Sequence, residues 1–381
     1  MMWRFTSCNS GHTLFPRVGG GGGGGKTPTA TPTAGTGALA FVTNFNDGKV
    51  SSFKRNTNTG VLTRTGQVTA GAKSGPEGVV AAPSGSFLYV ANFKDGNIYE
   101  FSVSSANGTL TPLSPASVSN GSTSGPEQIA INLAGTFLWV TGANKGTVTT
   151  YSINSSTGQL TQVSGKVTGL GSPFGIAVNS AGTLVYVADH FAGLVYSYSV
   201  GSSGALTKIG SVQSLGLPGG TPDFIAIDPA GTYIYVTDHD AGVLSIIQTT
   251  NGALVFSSTM PSNTTGNVPM GIGYSTISSN KFLFTANQGN SSLWSFLLTT
   301  PGNPSPPVEF GTGNLNAPTG LVVDPQNAFL YTTNQNVGTV SQFSLNPTCS
   351  GAPGPPCFVG VVATENPANP NSGPSGITLA P

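Results

Sequence analysis

The chain has 381 residues with 13 basic and 13 acidic side chains, so only 7% of it is charged and its formal net charge is zero. With 54 glycines and 28 prolines, it holds too little Lys, Glu and Arg to cover the solvent faces of long helices, and no apolar run approaches the roughly 20 residues of a membrane-spanning helix. All four arginines (Arg4, Arg17, Arg55 and Arg64) lie in the first part of the chain, leaving no basic stripe for nucleic acid, while 37% hydrophobic residues exclude a wholly disordered chain.

Residues 1–37 read as a disordered Gly/Thr/Pro-rich tail or linker. Gly19 to Gly25 are consecutive glycines, followed by KTPTATPTAGTG, a composition that favours an extended, solvated chain. Gly20 to Thr27 match the spacing G-x-x-x-x-G-K-T, but Pro28 and Pro32 exclude the helix N-terminus that such a phosphate loop needs. Met1 to Cys8, MMWRFTSC, has the small-residue-plus-Cys ending of a lipoprotein cleavage site without its apolar stretch. The true start is therefore expected upstream, and the protein is expected to be extracellular or at the cell surface, there held by a lipid anchor. A cytoplasmic location is the alternative.

From residue 38 the chain repeats. An apolar run ending in a small residue and Asn or Asp occurs as FVTN (41–44), YVAN (89–92), YVAD (186–189), YVTD (235–238), FTAN (284–287) and YTTN (331–334), with a variant WVTG at 139–142. Successive copies are 48, 50, 47, 49, 49 and 47 residues apart. Each unit opens with a Pro-led strand, as in Gly75-Pro76-Glu77-Gly78-Val79-Val80 or Pro173-Phe174-Gly175-Ile176-Ala177. A tight turn such as Pro229-Ala230-Gly231 follows. Then come the repeated strand, a third strand, and a Thr-Gly-x-Leu or Asn-Gly-x-Leu hairpin, as at Asn107-Gly108-Thr109-Leu110. Four short antiparallel strands in a unit of this length make one blade of a β-propeller. Residues 38–381 are thus expected to be an all-β, seven-bladed propeller of four-stranded antiparallel blades. The first unit lacks its Pro-led strand, and Gly373 to Leu379 supply a matching one, so the C-terminal strand is expected to complete blade one.

Cys349 and Cys357 flank SGAPGPP in the last blade, and a disulfide between them would imply an oxidising compartment; two free thiols are the alternative. Candidate chemistry collects on one face of the propeller, where the loops into the innermost strands and the turns after the second strands meet. Glu77, Glu127 and Asp223 occupy the first set; Asp189 and Asp238 occupy the second, followed by His190 and His239. His190, His239 and Asp223 are the candidates for acid and base work. Glu77, Glu127, Asp189 and Asp238 are candidates for a divalent cation such as calcium. The competing reading is local, since Asn and Asp at turns bond their own backbone.

These repeats, with their Pro-x-Gly turns and Thr-Gly-x-Leu hairpins, resemble the YVTN-repeat propellers and most closely the seven-bladed lactonase family, which includes propeller-type 6-phosphogluconolactonases. The resemblance covers residues 38–381 and implies a lactone hydrolase. Members of the enzyme branch share a Pro-Arg-His opening to a central blade, where this chain reads Thr221-Pro222-Asp223-Phe224. A phosphorylated lactone would therefore lack a bidentate arginine partner. Two functions follow: a secreted or surface-tethered binding protein for a sugar-like small molecule or another surface protein, and a carboxylic-ester hydrolase acting on a lactone. The chain is expected to act as a monomer.

Overall fold

A computed structural model describes residues 38–71, 75–215, 220–261, 268–345, 356–365 and 368–380. Seven antiparallel sheets surround a central bore, five with four strands and two with a short fifth. Blade one is built from both ends of the chain: its strand order runs 62–69, 49–55, 38–44 and then Pro374–Ala380. Val42 pairs with Ile377 and Phe41 with Thr378. Each blade stacks its faces on its two neighbours, which buries the second strand on both sides. Leu88, Tyr89 and Val90 are wholly enclosed, as are Val185, Tyr186 and Val187. This burial explains why these strands read as unbroken apolar runs without alternation.

The inner strands share one irregularity. The leading proline pairs with the Asn/Asp position of the second strand, as Pro76 with Asn92 and Pro222 with Asp238, and the register then slips before pairing resumes at the third residue on. Proline donates no amide hydrogen, so it suits the first position of a strand, and the slip is a bulge that turns the next residue toward the bore. In blades one, three, five and seven a threonine oxygen receives the amide freed by the bulge. Thr43 accepts from Gly376 N at 2.8 Å, Thr141 from Gln128 N at 3.0 Å, Thr237 from Phe224 N at 3.1 Å and Thr333 from Gly320 N at 2.8 Å. The same hydroxyls donate to carbonyls of the following blade: Glu77 O at 2.7 Å, Phe174 O at 2.8 Å, Met270 O at 2.9 Å and Ser375 O at 3.1 Å. Blades two, four and six carry Ala91, Ala188 and Ala286 instead, and there the bulge residue is glycine. A Cβ at Gly78, Gly175 or Gly271 would collide with the Glu127, Asp223 or Thr319 carbonyl.

A second set of links lies further out. Tyr89 Oη donates to Gly158 O at 2.7 Å, Trp139 Nε1 to Gly204 O at 3.1 Å and Tyr331 Oη to Gly60 O at 2.8 Å, each reaching the outer hairpin of the next blade. The closing seam between blades seven and one also carries ionic groups. Arg55 and Asp324 meet at 2.9 Å with side chains 1% and 0% exposed, and Arg55 donates to Gln326 at 3.0 Å. On the opposite face Lys49 lies 3.1 Å from Glu365 and 3.7 Å from Asp47. Burial, followed by the neighbouring Glu365, pushes the Asp47 carboxyl up to about 7.

The tail, residues 1–37, lies outside the described residues, as does Cys349. Cys357, which opens the last blade's outer strand, is disulfide-bonded. No helix among the described residues is long and apolar enough to cross a membrane.

Two expectations follow from the seams. Arg55→Ala strands a buried Asp324 carboxylate, so chemical denaturation should register a loss of about 3–5 kcal/mol; an unchanged midpoint would show that the seam does not depend on this pair. Among the described residues Glu100, 1% exposed, accepts only a long bond of 3.4 Å from Leu160 N, whereas Gln342 receives Leu62 N at 2.9 Å in the matching place of blade seven. Burial raises the Glu100 carboxyl from 4.5 to about 7. Its folded-state pKa is therefore above its unfolded one, so this group's stabilising contribution is complete below the unfolded value and is lost as pH rises through about 7. Glu100→Gln should raise the denaturation midpoint at pH 8 and leave it nearly unchanged at pH 4, pH values chosen to bracket the titration.

Candidate functional site

The bulges project the second residue of each inner strand into the mouth of the bore. In order around the ring these are Glu77, Glu127, Phe174, Asp223, Met270, Thr319 and Ser375. Above them lies a ring formed by the residues that follow the Asn/Asp position: Phe45, Phe93, Ala143, His190, His239, Gln288 and Gln335. Each of these donates its amide to the carbonyl preceding its own blade's leading proline, as His190 N to Ser172 O and His239 N to Thr221 O, both at 3.0 Å. Turn and inner strand are thereby fixed to each other, so side chains at both levels have rigid bases.

The chemistry concentrates on blades four and five. His190 Nδ1 of blade four meets Asp223 Oδ1 of blade five at 2.6 Å, with side chains 25% and 2% exposed. His239 Nδ1 meets the exposed Asp240 at 2.7 Å. The two imidazole centroids are 6.1 Å apart. Phe174 packs 6.2 Å from the His190 ring and 5.6 Å from Phe224, while Phe191, 80% exposed, sets its edge against His190 at 5.4 Å. The structure therefore brings His190, His239 and Asp223 together. The hydrogen bond to Asp223 raises the His190 pKa above its usual 6.5, although partial burial opposes it. Burial raises that of Asp223, with His190 pulling the other way.

Glu77 and Glu127 stand deeper in the bore. Glu77 keeps part of its surface open along the bore, but the surrounding protein strips away its solvation and pushes its carboxyl up to about 7. Glu127 is pushed well above the carboxylate range, first by burial and then by the charges of Glu77 and Asp223. Glu127 belongs to blade three and Asp223 to blade five, so their side chains can act on each other only through the bore.

Asp189 and Asp238 have a different task. Asp189 accepts from Gly171 N and Ser172 N, each at 2.7 Å, and Asp238 from Thr221 N at 3.0 Å and Ala241 N at 3.1 Å. Both fasten the loop leading into their own blade's inner strand, which is the local turn chemistry expected of the Asn/Asp column. The four candidate cation ligands are thus divided between bore and loops. Among the described residues no group of three or more His, Cys, Asp and Glu is arranged to hold a metal ion.

Sequence reasoning missed the aromatic wall. Phe224 stands where five other blades have glycine (Gly376, Gly78, Gly175, Gly271 and Gly320), and that exception could have flagged it. Its bulge is one of those supported by a threonine, so the bulky residue is accommodated where the interblade carbonyl already has a hydroxyl partner.

The profile of the seven-bladed β-propeller lactonase family matches residues 31–173 and 164–269. Among solved structures, the chain is similar to a candidate 6-phosphogluconolactonase of Bacteroides fragilis, at 16% identity and TM-score 0.76, covering 92% of this chain and 99% of that one. It is also similar to a Lactobacillus plantarum protein, at 18% identity and TM-score 0.75, covering 91% and 100%. The periplasmic gluconolactonase of Pseudomonas aeruginosa follows at 17% identity and TM-score 0.71, covering 91% and 99%. No functionally curated protein matches. At these identities the likeness is one of fold.

Asp223→Asn removes the carboxylate that raises the His190 pKa. NMR titration of the imidazole should then give a pKa lower than in the unsubstituted protein. An unaltered titration would break the proposed His190–Asp223 coupling.

Proposed function

Because the chain belongs to the lactonase family of seven-bladed β-propellers, we propose that it hydrolyses an unphosphorylated sugar lactone at the mouth of the bore. The observation that carries this reading is the His190–Asp223 pair, a half-buried imidazole fixed through Nδ1 by an enclosed carboxylate. With Nδ1 so engaged, the neutral ring carries its proton there and presents Nε2 as the base. Nε2 takes a proton from water as the water oxygen attacks the lactone carbonyl carbon. The His190 imidazolium so formed, stabilised by Asp223, returns that proton to the ring oxygen as the acyl C–O bond breaks, and His239, fixed by Asp240 through its own Nδ1, stands beside it at the mouth. The product is the open hydroxy acid. Phe174 and Phe191 flank the imidazoles and offer faces on which the apolar side of a sugar ring can rest.

Charge argues against a phosphorylated substrate. Glu77, Glu127 and Asp223 share the bore, and the arginine of the enzyme branch's Pro-Arg-His opening is replaced by Asp223. A phosphate dianion placed beside them would lack the bidentate arginine partner that offsets its lost hydration. An exported protein fits the disulfide-bonded state of Cys357, since disulfides persist in oxidising compartments. A second reading, a binding protein without turnover, is favoured by the 80% exposure of Phe191 beside the imidazoles, because a large exposed aromatic on a rigid rim suits capture of a ligand.

The test is hydrolysis of glucono-1,5-lactone above its spontaneous rate, followed by acid release, with and without a chelator. His190→Gln and Asp223→Asn should each lower kcat/KM about 100-fold or more. Since the base must be unprotonated, kcat/KM should rise with pH through a value above 6.5. Rate loss on chelation would bring a metal ion into the reaction. Binding of the lactone with no acceleration would leave the second reading standing.

A further inference from the structure

The proposed hydrolysis uses His190, His239 and Asp223 and leaves two carboxyl groups on the ring of Asp223, the enclosed Glu127 and the partly open Glu77, without a task. Glu127 is 8% exposed, and no hydrogen bond reaches its side chain from any described residue. The groups that act on it electrostatically are Glu77 and Asp223, both acidic. A buried carboxyl group without a donor is costly, because burial removes the water that would otherwise solvate it. As the second residue of blade three's inner strand, directly after the leading proline and within the bulge, Glu127 is turned into the bore, where it faces whatever enters. Between Glu127 and Asp223 the ring position belongs to Phe174, whose aromatic system continues into Phe224 at 5.6 Å. Acidic side chains beside an aromatic face form a complementary surface for an organic cation: the carboxylates supply charge and acceptors, and the ring face attracts positive charge. The opposite side of the bore offers no competing ion, since Thr319 and Ser375 have hydroxyls occupied by backbone carbonyls.

We propose that the bore beneath the imidazoles takes a protonated amino group of the ligand, held by Glu77 and Glu127 against the ring of Phe174. Among the described residues no three or more His, Cys, Asp and Glu side chains converge as a metal ion would favour. An ammonium group has three donors on a tetrahedral nitrogen and tolerates wider, less symmetric acceptors. The inference rests on the mouth being the ligand site. It narrows the lactone of the preceding section to one derived from an amino sugar, with the amino group down in the bore and the ester carbonyl up at His190.

Isothermal titration calorimetry of the whole protein with glucosamine hydrochloride, glucose and N-acetylglucosamine separates amine recognition from sugar recognition. Glucosamine should bind at least about tenfold more tightly than the two uncharged sugars, the scale of one charge-assisted hydrogen bond. Glu127→Gln and Glu77→Gln should each abolish that preference. Both variants should fold, because a neutral amide replaces a desolvated acid, and circular dichroism melting checks this. Phe174→Leu keeps apolar bulk, removes the ring face and should weaken glucosamine more than glucose. His190→Gln should stop hydrolysis while the amine preference survives, which keeps failure of the catalytic reading distinct from failure of this one. Equal affinity for glucosamine and glucose, no glucosamine binding at all, or a preference that persists in Glu127→Gln would each overturn the proposal.

Discussion

The bulge behind each leading proline is the constraint on which the rest of the molecule depends. Proline cannot continue the ladder, so two residues step out of register and one of them turns into the bore. Without that step the second residue of every inner strand would point into a neighbouring blade, where Glu77, Glu127 and Asp223 could not be tolerated. The bulge also exposes an amide and brings blades close enough for carbonyl contact. The structure meets these demands with a threonine hydroxyl that takes the amide and gives to the neighbouring carbonyl in four blades and with a glycine that lets the backbones touch in five, blades one and seven having both. Site and scaffold are therefore one device, since the same local defect that locks adjacent blades also presents the ring of functional side chains.

Most of the architecture was legible because it is written locally. Turn residues recur at a fixed spacing, the second strands are enclosed on both faces and stay apolar throughout, and the C-terminal segment repeats the motif that the first unit lacks. The site was legible only as a list. His190 and Asp223 are 33 residues apart and meet because consecutive blades place their turn and their inner strand side by side, a relation that needs the ring geometry. Arg55 and Asp324, 269 residues apart, pair only once the ring has closed. Asp189 and Asp238 look like ligands in sequence because a loop fastener and a metal ligand require the same carboxylate. Only the amides of Gly171, Ser172 and Thr221, already bonded to them, separate the two roles.

The placement of acidity is uneven and costly. A chain with 13 acidic residues puts five of them, Asp47, Glu77, Glu100, Glu127 and Asp223, where desolvation drives their pKa values upward; three of these line the bore, and blade three's Glu127 is further opposed by two of its own kind. Uncompensated burial of this sort marks functional sites more often than structural ones. Arg55 and Asp324 form the contrast: they are equally enclosed, yet paired and bonded to their surroundings.

The alternation of threonine and alanine in the second strands has a consequence of parity. Two-fold alternation cannot close on an odd number of blades, so one pair of neighbours must repeat the same type. The repeat falls between blades seven and one, where Thr333 and Thr43 stand in succession and Ser375 lies between them. The chain runs on from every blade into the next; its break lies inside blade one, between Pro374–Ala380 and Ala38–Asn44, and the doubled threonines both bond to that C-terminal strand. A circularly permuted chain, opened in the loop between blades two and three and joined through its present ends, would move the break to a junction with no threonine link, where Ala91 stands, and leave the doubled threonines within continuous chain. Such a ring should come apart more readily at its new opening than the natural one does at its own.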